Sequence, residues 1–123
     1  PIEMTNAYAT FAAGGRWAPT HIVTRIEGPG GDVALPPLEE PRDVMTPAEA
    51  YVLTSMLTSV IESGTATRAR ALRRPAAGKT GTSNDACDAW FIGYTPRVVT
   101  GVWWSGAIFS DLWKQRKQSR VCL

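Results

Sequence analysis

Residues 76–104 constrain the fold more than any other stretch. "AAGKTGT", "DAWFIGY" and "VVTGVWW" are three extended segments joined by short connections, the second and third only by the turn "TPR". Strands joined that tightly pair antiparallel, because a parallel crossover needs a dozen or more residues. "DAWFIGY" is a fully apolar strand and is expected to pack behind the Gly-rich first strand, which lies at the rim of the sheet.

The residues before the sheet alternate between helix and hairpin patterns. In "IEMTNAYATFAAGG", Met4, Ala7, Tyr8, Phe11 and Ala12 recur at helical spacing, and Gly14 and Gly15 supply the stop. "THIVTRIE", the turn "GPGGD" and the short "VAL" read as a hairpin with His21 on its surface. The Pro-rich acidic connector "LPPLEEPRDV" leads to the clearest helix, "TPAEAYVLTSMLTSVIESG". Thr46 is its N-cap, Pro47 stands at N1, Glu49 completes a capping box and Gly64 ends it. Val52, Leu53, Met56, Leu57, Val60 and Ile61 form a broad stripe that predicts deep packing. "TATRARALRRPAA" reads as a loop returning to the sheet. Helices beside an antiparallel sheet, with no βαβ alternation, give an α+β fold.

At 123 residues this is one domain or a piece of a larger one, and the absence of an initiator Met before Pro1 favours the piece. No run is long and apolar enough to span a bilayer, and no signal peptide opens the chain. Cys87 and Cys122 are too few for a disulfide framework or a metal site, and the lone His21 excludes centres needing several imidazoles. The net charge of +2 divides unevenly, with −5 over residues 1–66 and +7 over residues 67–123. "RARALRRPAAGK" holds Arg68, Arg70, Arg73, Arg74 and Lys79 without an acid. Such a patch attracts anionic polymers or is simply a solvated loop. No aromatic interleaves the arginines, so a single-stranded nucleic-acid platform is not expected.

Gly78-Lys79-Thr80-Gly81-Thr82 can be read as a phosphate cradle or a carboxylate dock. A cradle of the form G-x-x-x-x-G-K-[ST] needs a glycine where Arg73 stands, Pro75 removes an N–H from the loop, and a strand follows instead of a helix. The phosphate reading fails on all three. For a carboxylate, Lys79 offers a fixed cation, and Thr80 and Thr82 offer hydroxyl donors. Gly81 lets a peptide lie along the strand edge, and the Thr82 N–H is a candidate donor to a developing oxyanion.

The stretch "GKTGTSNDACDAWFIGYTPRVVTGVWW" closely resembles the segment of class A penicillin-binding proteins, of the 1A type, that carries their Lys-Thr-Gly strand and the two strands after it. "PIEMTNAYATFAAGG", "RIEGPGGDV" and "MTPAEAYVLTSMLTSVIESGTA" follow the same family's order upstream, so the likeness covers about residues 1–104. It implies the C-terminal portion of a peptidoglycan DD-transpeptidase domain: an antiparallel sheet flanked by helices, like serine β-lactamases, present here as an incomplete fragment. By that likeness Lys79, Thr80, Gly81 and Thr82 bind substrate, and Lys79 and Thr82 also serve catalysis. Asp85, Asp88 and Trp90 fall in the family's "ND..DAWF" pattern, where structural roles are expected. The implied partners are a D-Ala-D-Ala stem peptide and β-lactams, with no cofactor, no metal and no nucleic acid. In the full-length protein the implied location is periplasmic, or the outer face of the inner membrane, through an N-terminal anchor these residues do not include.

Two family motifs are absent from these residues. The residues three places before Lys79, Lys114 and Lys117 are Ala76, Asp111 and Lys114, so there is no S-x-x-K nucleophile. Asn6 and Asn84 are preceded two places earlier by Met4 and Thr82, so there is no S-x-N. The fragment alone is therefore expected to be inert. Residues 105–123, "SGAIFSDLWKQRKQSRVCL", depart from the pattern and read as a frameshift, a truncation or a fragment boundary, with a short helix bearing Ile108, Leu112 and Trp113 as the alternative. Two further function classes stay open here: a serine β-lactamase-like fragment, and a non-catalytic module binding anionic polymers through the basic 68–79 patch.

Overall fold

The computed structural model describes residues 1–83 and 88–105. The element order is α1 (Ile2–Ala12), β1 (Arg16–Trp17), β2 (Ile26–Gly28), β3 (Gly31–Val33), β4 (Arg42–Asp43), α2 (Pro47–Glu62), a 3-10 helix (Thr67–Leu72), β5 (Ala77–Thr82), β6 (Asp88–Tyr94) and β7 (Val99–Ser105). The α+β expectation holds. The main sheet has the order β5-β6-β7, antiparallel throughout, and β5 is its edge.

Facing residues across the sheet share a side. Lys79 stands opposite Ile92, Gly81 opposite Trp90 and Ala77 opposite Tyr94, while Thr80 stands opposite Phe91 and Thr82 opposite Ala89. Because side chains alternate along a strand, Lys79 and Gly81 share the face of Ile92 and Tyr94, and Thr80 and Thr82 share that of Phe91. Both long helices cover the first face. The Tyr8 ring meets Tyr94 edge-on at 6.5 Å, and the Thr54 hydroxyl hydrogen-bonds the Tyr94 hydroxyl at 2.9 Å. Burial raises the Tyr94 phenol above its usual pKa, against the smaller opposing pull of the Thr54 hydrogen bond. At the uncovered end of this face Trp90 stacks on Trp103, with ring centroids 5.8 Å apart. On the other face the Phe91 ring lies over Gly78 and Gly93, where a Cβ on either would come within 3.2 Å or less of it.

The core is small: Ala50, Ile61, Ala66, Ala77, Ile92 and Tyr94. Among the described residues no large side chain is fully buried. The deep packing expected of the α2 stripe is therefore only partly seen. Ile61 is buried, but Val52 is 57% and Met56 62% exposed. An apolar stripe records which residues avoid water, and the one small sheet reaches only part of its width.

Other boundaries shift for local reasons. The hairpin pairs Ile26–Gly28 with Gly31–Val33 and leaves Thr20–Arg25 outside it. Part of the loop before the sheet is the 3-10 helix, closed by Arg73 in a left-handed conformation at φ 51°. The connector contributes β4, which pairs with β1 over two residues, too short to leave a period in the sequence. Arg42 of β4 lies over the Trp17 ring of β1 at 4.8 Å.

The start of α2 follows its capping box. Thr46 Oγ1 accepts the Glu49 N–H at 3.3 Å, and Glu49 Oε2 accepts the Thr46 N–H at 2.8 Å. The Thr46 N–H and, more weakly, the Thr46 hydroxyl, which donates to the same oxygen at 2.8 Å, hold the Glu49 carboxyl below its ordinary pKa. A depressed carboxyl stabilises the fold above its unfolded pKa and loses that contribution as pH falls through the folded value. Thr46→Ala is expected to cost about 1 kcal/mol, whereas Glu49→Gln, which removes the titrating group, is expected to flatten the acid side of the stability curve, as read by denaturant melts between neutral and acid pH. An unchanged acid limb would remove Glu49 from that role.

Candidate active-site strand

The position of the strand follows from its ladder. The Ser83 N–H donates to Asp88 O at 3.0 Å, in step with the β5–β6 register. In an antiparallel ladder, main-chain groups point alternately toward the partner and away from it. Ser83 points at β6, and with it Gly81, Lys79 and Ala77. The N–H and C=O of Thr82, Thr80 and Gly78 therefore point away, into an edge that no other strand occupies among the described residues.

The side chains add to that edge. Lys79 starts on the opposite face from the threonines, yet its Nζ bends to the edge and donates to Thr80 O at 2.6 Å. The Thr80 hydroxyl shares a 2.6 Å hydrogen bond with the Thr65 hydroxyl. Lys79 and Thr82 are exposed, and Thr80 and Gly81 are half-buried. A Cβ on Gly81 would meet only Trp90 Cβ, at an ordinary 3.4 Å, so the fold itself does not demand glycine there. The four residues thus lie on one open strand, with an ammonium group, two hydroxyls and outward amides on the same rim.

Other singled-out residues fall elsewhere. Asp88 donates its N–H to Ser83 Oγ at 2.8 Å, which squares off the end of the β5–β6 pair. Trp90 is occupied by its stack on Trp103. Asp85, Cys87 and residues 106–123, including Ile108, Leu112 and Trp113, lie outside the described residues. Arg68, Arg70, Arg73 and Arg74 are exposed, and among the described residues none of them forms an ion pair. His21 is exposed. Among the described residues no group of three or more His, Cys, Asp or Glu could hold a metal ion, and no helix is long and apolar enough to cross a membrane. An open apolar groove lined by Val44, Met45, Ala48, Val52 and Leu53 takes no residue from β5, and the carboxylate on its rim, Glu49, is committed to the capping box. Sequence reasoning missed Thr65, since one threonine after a helix stop carries no period and no motif.

The comparisons with known proteins agree on one family. The model of the penicillin binding protein transpeptidase domain matches residues 1–110. Penicillin-binding protein 1A of Aquifex aeolicus (strain VF5) is 39% identical over 123 residues, covering 100% of this chain and 17% of that protein. The protein of the same name in Rickettsia prowazekii (strain Madrid E) is 37% identical over 144 residues, covering 98% of this chain and 18% of that one. For Neisseria cinerea the figures are 38% over 109 residues, covering 84% and 14%. The chain thus spans less than a fifth of the length of these relatives.

Proposed function

Because the chain belongs to the penicillin-binding protein transpeptidase family, we propose that β5 is the carboxylate-docking strand of a serine-type peptidoglycan DD-transpeptidase. The observation that carries this reading is the open rim of β5. Lys79 supplies a cation, Thr80 and Thr82 supply hydroxyls, and the outward main-chain groups form the edge against which an extended peptide adds as a further strand. The tolerance of the fold for a Cβ at Gly81 supports an external reason for glycine, the close approach of a second backbone.

The chemistry assigned to the full-length protein is acyl transfer. A serine attacks the carbonyl between the two D-Ala residues of a stem peptide, the terminal D-Ala leaves with its carboxylate, and an amine of a second strand resolves the acyl-enzyme. In that sequence Lys79 holds the carboxylate of the leaving residue in place, and Thr80 and Thr82 donate to the same group. The Thr82 N–H, directed away from β6, is one of two donors to the oxyanion, a contribution of about 3 kcal/mol per donor in other acyl-transfer enzymes. β-Lactams present a carboxylate of the same kind and acylate the same serine. Such chemistry belongs on the outer face of the cytoplasmic membrane, where the stem peptides are.

The test is Lys79→Ala in the full-length protein, read as the second-order rate of acylation by a fluorescent penicillin. Losing a charge-assisted contact worth about 1.5–3 kcal/mol lowers that rate roughly 10- to 100-fold. Lys79→Arg retains part of the rate, and a penicillin whose carboxylate is esterified reacts equally with wild type and Lys79→Ala. Equal sensitivity of the acid and the ester to Lys79→Ala would remove the carboxylate from the account.

A further inference from the structure

The contact between Thr65 and Thr80 ties the strand to the end of α2. Their hydroxyl oxygens are 2.6 Å apart, although fifteen residues separate them in sequence. Thr65 is firmly held. The turn after α2 is closed by Ser63 N–H donating to Ser59 O at 3.0 Å and Ala66 N–H to Val60 O at 3.1 Å. Ala66 is buried, and Gly64 lies so close to the Val60 backbone that a Cβ there would come within 2.8 Å of it. Among the described residues Thr80 has no other side-chain hydrogen bond.

We infer that Thr65 is a positioning residue for carboxylate recognition, acting by fixing the donor direction of the Thr80 hydroxyl. This rests on the proposal that Thr80 donates to a substrate carboxylate. Each hydroxyl has one proton, so the pair can be arranged in two ways. If Thr80 donates to Thr65, it has no proton left for a ligand. If Thr65 donates to Thr80, the Thr80 proton is free. A carboxylate is acceptor-only and can bind only the second arrangement. Its arrival selects the order Thr65 O–H to Thr80 oxygen, Thr80 O–H to carboxylate. A hydroxyl that accepts one hydrogen bond donates more strongly in the next. Thr65 therefore orients and polarises the donor, without touching the substrate.

The experiment uses the full-length protein with Thr65→Val, Thr65→Ser, Thr80→Val and the Thr65→Val/Thr80→Val pair. The readout is the preference ratio: the acylation rate with a fluorescent penicillin over that with its carboxylate methyl ester. Thr65→Val is expected to lower this ratio about ten-fold, the size of one hydrogen bond, and Thr65→Ser to keep it within about two-fold, since the hydroxyl is retained. On the Thr80→Val background Thr65→Val changes the ratio no further, because its only route runs through Thr80. Thr65→Ala replaces the valine variant if the latter melts lower than wild type. If Thr80→Val lowers the ratio but Thr65→Val does not, or if the two losses add, the positioning role is overturned while the carboxylate reading stands. If Thr80→Val itself leaves the ratio unchanged, the carboxylate reading of Thr80 falls and the inference falls with it.

Discussion

Incubated with a fluorescent penicillin and resolved on a denaturing gel, these 123 residues alone are expected to carry no covalent label, whereas the full-length protein is labelled. A stable adduct needs a hydroxyl activated by a neighbouring base, and among the described residues no serine hydroxyl is hydrogen-bonded to a lysine. Ser59 and Ser63 donate to carbonyls of their own helix, at 3.2 and 3.3 Å. Ser83 Oγ accepts the Asp88 N–H. Lys79 Nζ, the base nearest the docking rim, donates to the Thr80 carbonyl and to no hydroxyl among the described residues. No S-x-x-K occurs in these residues to supply the pair. Losing the nucleophile in a comparable serine enzyme slows catalysis roughly 10⁶-fold, far below what an hour of incubation reveals. Contacts to the proposed dock on β5 would be noncovalent and would not survive the denaturant. A labelled band from this chain would mean that one of its own hydroxyls is a nucleophile, and the assignment of β5 as a dock without an attacking group would be wrong.

Among the described glycines, Gly15→Ala is expected to be the most destabilising substitution to alanine, at about 3 kcal/mol or more. Two independent costs meet there. The backbone has φ +99°, a conformation side chains rarely adopt, and a new Cβ would run into the Met45 carbonyl oxygen and side chain. Neither neighbour can withdraw cheaply. Gly15 N–H donates to Thr10 O at 2.9 Å, while Gly15 O accepts from Val44 N–H at 3.0 Å and Met45 N–H at 3.4 Å. The residue thus clamps the end of α1 to the approach of α2. Gly14 is the control, with φ +70° but nothing within 4 Å of a new Cβ. Gly14→Ala carries only the conformational cost, about 1–2 kcal/mol. Denaturant midpoints of the two variants in the full-length protein separate the terms. Equal midpoints would show that the Met45 contact relaxes and that only the dihedral matters.

What could be read from the sequence divides along physical lines. The α2 start was legible because the capping box is local: Thr46, Pro47 and Glu49 act within one turn, and the hydrogen bonds are there. The three strands were legible because pattern and short connections fix both extension and pairing, and β5 falls within "AAGKTGT". Which face each residue takes was harder. Lys79 and the threonines were expected to serve one carboxylate, yet strand alternation starts them on opposite faces and only the bend of Lys79 Nζ brings the charge to the rim. The burial of α2 was not legible, because it depends on how far the partner surface extends. Val52 and Met56 look like core residues from spacing alone. Thr65 was invisible for a related reason. Its significance lies in a contact across fifteen residues, and nothing local distinguishes it from Thr67 two places on.

The sequential order β5-β6-β7 also bears on when the open rim of β5 comes into being. Each strand pairs with its immediate neighbour in the chain, and the β6–β7 turn is closed by Thr95 N–H donating to Val98 O at 2.9 Å. Loop closure over so few residues costs little entropy and is fast. The α1 contact on Gly101, made through Thr5, spans nearly the whole described length and is entropically the more expensive to form. The meander can therefore zip first and set the register of Lys79, Thr80 and Thr82 by itself, leaving α1 to dock afterwards. On this order, slow or failed docking of the N-terminal helix would expose apolar surface without scrambling the rim.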